Sequence, residues 1–308
     1  NKGADIPIYG DAVYFYVRRD EYYSLVMIDP TSGKTVFEKI IPTAGVVEGD
    51  PLIYLVEDGE KNYLFHKKGL NQYLFEIKSA QLIWNKALLD DSYHVKIQNN
   101  LMLIYSQSNN DVFIQNIISQ KKIGDYGLEA TVERGFFWKD NIIINTKNSI
   151  TSLKTYKPFL RGLHNWTQPI DNSDEIRWIT SVHNNLFSFT KSGDLYCLNG
   201  KTGEIIHHNQ IGHNIDSFHY EGANDPGYSP SKSYIIYANG FLIGLDTNNG
   251  KTLWKIRELN IDDYGHIIPI GNKVIVVKKP ENENYVILKA YNRTTGELLW
   301  LSEENILQ

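Results

Sequence analysis

The chain has 308 residues, a formal net charge of −5 and 42% hydrophobic residues. Positive and negative charges are interspersed, so the composition lacks the basic surface typical of nucleic-acid binding, and we expect no nucleic-acid partner. No apolar run approaches the ~18–20 residues of a membrane-spanning helix, so we expect no membrane span.

Short apolar runs recur along the whole chain, and most of them are preceded by Asn or Asp. They start at residues 11, 50, 99, 140, 184, 232 and 272. This spacing fits four-stranded propeller blades, whose period is roughly 40–45 residues with extra length in loops. Helical periodicity is nearly absent, and Tyr, Phe, Ile and Val are abundant. The sequence therefore predicts an all-β fold, a seven-bladed β-propeller of four-stranded antiparallel blades, in one domain spanning residues 1–308.

The two ends of the chain predict how the first and last blades are built. Residues 6–13 (IPIYGDAV) resemble residues 268–274 (IPIGNKV), so the first blade contains its own first strand. The last blade contains its own outer strand, which ends at Trp300. We expect no strand to be exchanged between the ends of the chain, and closure by packing between the first and last blades.

A repeated phrase follows four of these apolar runs. Residues 245–254 read LDTNNGKTLW and residues 291–300 read YNRTTGELLW, and weaker copies occupy residues 28–37 and 198–206. Asp or Asn can bond its own backbone at a turn, and Gly supplies the positive φ, so each copy predicts strand, tight turn, strand. An EF-hand loop is disfavoured because the liganding Glu is absent.

These phrases resemble the PQQ-like, quinoprotein-type β-propeller repeat, whose pattern is roughly Ala-x-Asp-x-x-Thr-Gly-x-x-x-Trp. The family includes quinone-dependent alcohol dehydrogenases and smaller non-enzymatic scaffolds of outer-membrane assembly. The chain is about half as long as those enzymes. It has one cysteine, Cys197, so their adjacent-cysteine disulfide cannot form, and it has seven repeats where they have eight. The resemblance therefore implies the scaffold branch, and we predict no cofactor.

Three loops that precede predicted first strands share the pattern Asp-x-x-His. In the predicted register they belong to the third, sixth and seventh blades and lie at the mouth of the central channel. Three imidazoles could hold zinc or act as acids and bases near neutral pH. The alternative is structural: each Asp caps a turn and each His bonds a neighbouring blade. The residues are Asp91, His94, Asp216, His219, Asp263 and His266.

Two related groups of residues are weaker candidates for a functional site. Asp125 and Asp174 occur in similar loops without the His. His207, His208 and His213 form a second cluster, but their spacing gives no shared face of ligands, so we expect no metal there.

Two irregular stretches are candidates for partner binding, residues 157–174 and 219–230. Long turn-rich loops on a rigid scaffold often carry recognition, and aromatic side chains dominate binding hot spots. The candidate residues are Trp166, Tyr220 and Tyr228. Trp166 could equally be the aromatic that covers the junction of the fourth blade with its neighbour.

No nucleophile–base or phosphate-loop motif is present. The main hypothesis is a non-catalytic, monomeric scaffold that binds another protein in a bacterial envelope-associated or secreted assembly. One alternative is a ligand- or metal-dependent enzyme with its site at the channel mouth, and another is an immunity-type inhibitor of a toxin. The sequence begins at Asn1, so we expect a removed export signal or a cleaved tag. A periplasmic or secreted location is expected, with the cytoplasm left open.

Overall fold

The computed structural model describes residues 8–9, 12–18, 23–29, 31–41, 52–79, 81–90, 92–155, 164–170, 174–212, 218–220, 233–238, 240–258, 266–278 and 285–305. The chain is divided into two compact units, residues 1–140 with 155–162, and residues 141–154 with 163–308. The single domain predicted from the sequence stays a prediction.

All regular elements in these residues are β-strands, and they form seven four-stranded sheets. The first three sheets lie in the first unit. The first sheet contains β1 (Ile8–Tyr9), β2 (Ala12–Arg18), β3 (Tyr23–Ile28) and β4 (Thr35–Ile41). The second contains β5 (Leu52–Asp58), β6 (Lys61–Lys68), β7 (Asn71–Glu76) and β8 (Gln81–Ala87). The third contains β9 (Tyr93–Gln98), β10 (Leu101–Ser106), β11 (Asp111–Asn116) and β12 (Lys122–Gly127).

The remaining sheets continue the pattern of four consecutive antiparallel strands. The fourth contains β13 (Arg134–Trp138), β14 (Asn141–Asn145), β15 (Ser149–Lys154) and β16 (His164–Pro169). The fifth contains β17 (Ile176–Val182), β18 (Asn185–Thr190), β19 (Asp194–Asn199) and β20 (Ile205–Gln210). The sixth contains β21 (Phe218–Tyr220), β22 (Ser233–Ala238), β23 (Phe241–Asp246) and β24 (Thr252–Arg257). The seventh contains β25 (His266–Ile270), β26 (Lys273–Lys278), β27 (Tyr285–Asn292) and β28 (Leu298–Asn305).

The seven apolar runs occupy the same position in six repeats and a different position in the second repeat. The runs at residues 11, 99, 140, 184, 232 and 272 lead into the second strand of a sheet. The run at residue 50 leads instead into β5, a first strand, and the second strand follows the turn at Gly59, whose φ is 64°. At both ends of the chain the prediction holds, because β1 pairs with β2 and β28 pairs with β27.

The repeated phrase forms the predicted hairpin. Its four glycines have φ between 65° and 80°, and each donates its N–H to the carbonyl oxygen of the opening Asp or Asn at 2.8 Å. The side chain of that Asp or Asn accepts a backbone N–H two residues on, at 2.7–2.9 Å. The glycines are Gly33, Gly203, Gly250 and Gly296. The turn after β11 has the same geometry without a glycine. Gln120 occupies the glycine position at φ 56°, and the side chain of Asn116 accepts the same backbone N–H bonds. The turn is therefore fixed by local bonds that survive the loss of Gly.

Burial changes from strand to strand within a sheet. All six residues of β18 and of β22 are buried, because both faces of these strands are covered. The fourth strands are mostly exposed, and Trp84 is the single buried residue of β8. β22 (SYIIYA) is almost continuously apolar, whereas β18 (NLFSFT) also buries Asn185, Ser188 and Thr190.

Cys197, the one cysteine, lies in the core between the fifth and sixth sheets with Phe187 and Leu245. Burial, with a smaller contribution from Asp246, raises the pKa of this thiol to about 12. Because the thiolate is the reactive form, we expect no iodoacetamide adduct on the folded protein at pH 8 and one adduct per chain in guanidinium chloride. Intact mass spectrometry distinguishes the two results, and an adduct formed under native conditions would contradict this burial.

Candidate functional site

The three predicted histidines occupy equivalent places in their sheets. His94, His219 and His266 lie on β9, β21 and β25, the first strands of the third, sixth and seventh sheets. Their backbones pair with Tyr105, Tyr237 and Val277. The acidic residues Asp91, Asp216 and Asp263 lie outside the described residues. The predicted channel-mouth site therefore stays a prediction.

His94 is the member of this set whose side chain is described. Its half-buried ring stacks on Tyr105, with centroids 5.3 Å apart and an interplanar angle of 21°. Tyr105 lies on β10 of the same sheet, so this contact is not the bond to a neighbouring blade that the structural alternative predicts. Across the described part of the chain, no group of three or more His, Cys, Asp or Glu side chains could hold a metal ion.

In the second histidine cluster, His208 has partners within its own sheet. His208 Nε2 lies 2.7 Å from Asp194 Oδ1, and its ring stacks on Tyr196 at 4.4 Å. Asp194 Oδ2 also accepts a hydrogen bond from Ser192 Oγ at 2.8 Å. His213 lies outside the described residues. The contacts of His208 join strands β19 and β20 of one sheet.

The two acidic residues without a neighbouring His also have local partners. Asp125 Oδ2 lies 2.6 Å from Lys122 Nζ. Asp174 accepts hydrogen bonds from Ser192 Oγ and from the backbone N–H of Ser192. Burial raises the pKa of Asp174, but the hydrogen bonds from Ser192 and Thr190 outweigh it, so the pKa lies below its ordinary value.

Trp166 has the contacts expected for the aromatic that covers a junction. Its Nε1 donates to the carbonyl oxygen of Gly200 at 3.2 Å, and a Cβ on Gly203 would lie 2.5 Å from its ring. Its proposed role in partner binding stays a prediction. Tyr220 ends β21 and pairs with Ile236 through the backbone, and Tyr228 lies outside the described residues.

Two further tryptophans make the same contact. Trp84 Nε1 donates to the carbonyl oxygen of Ile117 at 2.8 Å, on the next sheet. Trp254 Nε1 donates to the carbonyl oxygen of Arg293 at 3.0 Å, and its ring lies against Gly296. A tryptophan in the fourth strand thus covers the turn of the following sheet in these three places, and next to Trp166 and Trp254 the glycine of that turn makes room for the ring.

The fifth sheet has His207 at this position and meets its neighbour differently. Asn185 Nδ2 donates to the carbonyl oxygens of Thr247 and Asn248 at 3.1 and 2.7 Å. A Cβ on Gly250 would lie 2.5 Å from Cys197 Cβ. The turn of the sixth sheet is therefore held by strands β18 and β19 rather than by an aromatic residue on β20.

Strand β28 carries an apolar surface that sequence reasoning missed. It is the last strand of the seventh sheet and pairs with β27 on one side. Leu298, Leu299, Trp300 and Leu301 are consecutive and 38–55% exposed. Among the described side chains, the other fourth strands expose at most two consecutive large apolar residues, such as Ile205 and Ile206. The sequence contains this apolar run as LLWL, but the neighbouring strands decide whether these side chains are exposed.

A second feature missed from the sequence is a cavity of about 480 Å³ in the first unit. Gln72 and Lys86 line it from the second sheet, and Tyr93, Asp111 and Phe113 line it from the third. Gln72 and Asp111, which are 39 positions apart, thus line one cavity, and no local motif in the sequence indicates it.

Comparison with known proteins identifies the fold. Residues 161–302 match the family described as outer membrane protein assembly factor BamB. This match covers less than half of the chain and confirms the predicted resemblance to PQQ-like β-propeller repeats. No curated protein matches the chain in sequence.

Three solved structures are similar to nearly the whole chain. BamB from Moraxella catarrhalis has 14% identity and a TM-score of 0.63, over 98% of this chain and 85% of that chain. Sqt1 from Saccharomyces cerevisiae has 10% identity and a TM-score of 0.62, over 94% and 82%. Hsv2p from Kluyveromyces lactis has 10% identity and a TM-score of 0.57, over 97% and 96%. At such identities the likeness shows the fold alone, and with the seven four-stranded sheets it confirms the predicted seven-bladed β-propeller.

Proposed function

We propose that this chain, a β-propeller with PQQ-like repeats, is a non-catalytic scaffold that binds another protein through the apolar edge strand β28. The observation that supports this proposal is the run of four exposed apolar side chains from Leu298 to Leu301. Exposed apolar surface of this kind marks interaction sites in soluble proteins.

The backbone of β28 gives the proposed partner a second means of attachment. An edge strand presents unpaired N–H and C=O groups, which a strand from another protein can pair with. Native proteins usually protect such edges with charged residues or proline. Leu298 to Leu301 carry neither, whereas the following Glu303 and Glu304 are charged. The expected partner therefore offers an extended segment with apolar side chains.

The proposed setting is an envelope-associated or secreted assembly. Its support is the family match, whose description names an outer-membrane assembly factor. In the part of the chain that the structure describes, no helix is both long and apolar enough to cross a membrane.

Charged substitutions on β28 test the binding surface. In Leu299→Lys/Leu301→Lys, ammonium groups on the exposed edge should oppose strand pairing and apolar contact, so affinity for the partner should fall at least about tenfold. The partner is first identified by a photo-crosslinking amino acid at position 301 in native cells. It is then purified, and its affinity is measured by calorimetry.

The matched control places the same charges on another edge. Ile205→Lys/Ile206→Lys changes two side chains on β20 that are both 42% exposed, and it should bind the partner like the unmodified chain. Equal binding by the β28 variant, no discrete adduct from position 301, or an adduct with a second copy of this chain would each overturn the proposal.

A further inference from the structure

We propose that the cavity between the second and third sheets binds a zwitterion with an apolar body, such as a short apolar peptide or a single apolar amino acid. The inference is independent of the binding edge at β28. The cavity volume of about 480 Å³ lies within the range of roughly 300–1,000 Å³ that is usual for small-ligand pockets.

The wall formed by the second sheet offers hydrogen-bond donors and positive charge. Gln72 is 1% exposed, and its Nε2 has no hydrogen-bond partner among the described residues. Buried polar groups are nearly always bonded, so this amide in the cavity wall is available to a polar group that enters the cavity. A half-turn of the amide exchanges its oxygen and nitrogen positions, so either can face the cavity.

Lys86 lies directly opposite Gln72 in the pairing of β7 with β8, and it also lines the cavity. Within the described ranges, no carboxylate pairs with Lys86. Lys67 is the neighbour of Gln72 on β6, so the amide lies between two cationic side chains. This wall therefore suits a carboxylate.

The wall formed by the third sheet offers a negative charge. Asp111 Oδ2 accepts a hydrogen bond from Tyr93 Oη at 3.0 Å, and Asn109 Nδ2 donates to the same hydroxyl at 3.2 Å. No cationic side chain of the described residues pairs with Asp111. Lys122 and Asp125 also line the cavity but neutralise each other at 2.6 Å. Lys86 and Asp111 are left as uncompensated charges of opposite sign on opposite walls.

Apolar side chains lie among these charges. Leu88, Ile104 and Phe113 line the cavity, and so does Leu89, which is 85% exposed. A leucine exposed to that extent gains contact area when an apolar ligand enters beside it. The arrangement fits a ligand carboxylate at Lys86 and Gln72, a ligand ammonium at Asp111, and an apolar body between them.

Calorimetry with leucyl-leucine, its C-terminal amide and its N-acetyl derivative tests both ends of the ligand. The unmodified protein should bind the free dipeptide about tenfold more tightly than either blocked form, because charge-assisted hydrogen bonds are strong. Leucine and a leucine tripeptide, measured alongside, distinguish an amino-acid ligand from a peptide.

Single substitutions should abolish the preference at one end only. Lys86→Met should bind the dipeptide and its amide equally and keep its preference for the free amine, whereas Asp111→Asn should do the reverse. Lys78→Met, in the turn of the same sheet and outside the cavity, should retain both preferences. Gln72→Met should weaken binding of the free dipeptide without lowering the melting temperature, because it removes an unpaired buried amide. Absence of dipeptide binding, equal binding of all three forms, or unchanged preferences in the Lys86 and Asp111 variants would overturn the assignment.

Discussion

Replacing Trp254 by alanine is expected to lower the free energy of unfolding by about 3–5 kcal/mol, the usual cost of removing a large buried aromatic side chain. Trp254 is 8% exposed and packs with Ile235 and Tyr291 between the sixth and seventh sheets. Its Nε1 also satisfies the carbonyl oxygen of Arg293. The loss includes the cavity left beside Gly296, whose missing Cβ made room for the ring.

Trp300→Ala provides a matched control, because Trp300 ends the same repeated phrase in the next sheet. Its side chain is 38% exposed, so the same substitution removes less buried area and should cost about 1–2 kcal/mol. Equilibrium denaturation in urea measures both values. Similar losses for the two variants would show that the phrase itself, rather than burial by the next sheet, determines the contribution of the tryptophan.

Replacing Lys289 by methionine is expected to destabilise the protein by about 3 kcal/mol, because it leaves a buried carboxylate without its cation. Glu258 is 3% exposed, and its Oε1 lies 2.6 Å from Lys289 Nζ. Tyr291 Oη donates to Glu258 Oε2, so one neutral donor would remain. The value lies at the low end for buried pairs because Lys289 is itself a quarter exposed.

A second substitution separates the loss of charge balance from the loss of packing. Glu258→Gln in the Lys289→Met background should recover at least half of the lost stability, since the buried negative charge is gone. Urea denaturation at pH 7 measures the stability of both variants, and a double variant no more stable than Lys289→Met would exclude an electrostatic cause.

The same cluster gives the unmodified protein a dependence on alkaline pH. Burial and then the neighbouring Glu258 raise the pKa of Tyr291 above its ordinary value of 10.0. The folded state therefore favours the protonated phenol. This contribution to stability is fully present below pH 10 and is lost as the pH rises toward the folded pKa.

Much of the fold could be predicted because its signals are local. The Asp or Asn and the Gly of each hairpin are four residues apart and bond within that segment, as at Asp246 and Gly250. The one apolar run out of register, at residue 50, leads into a first strand, and in that repeat Asp58-Gly59 forms the turn before the second strand.

The candidate sites were less predictable because they depend on neighbours that are distant in sequence. The orphaned amide of Gln72 and the carboxylate of Asp111 belong to different sheets, and no spacing in the sequence relates them. His94 and Asp125, chosen from a repeated pattern, have structural partners in Tyr105 and Lys122. Each blade of a propeller packs in the same way, so a motif that recurs between blades is explained by this shared packing at least as readily as by a shared binding site.

The sequence by itself determined the seven-fold repeat, the order of strands within each sheet and the hairpin turns, because these follow from periodicity and from bonds between near neighbours. Tertiary structure alone decided which copies of one phrase are buried. Trp254 and Trp300 end nearly the same ten residues, yet the first ring is covered and the second is exposed. The physical reason is that a side chain at the end of an outer strand is buried only by the sheet that packs against it, and its own segment cannot supply that surface.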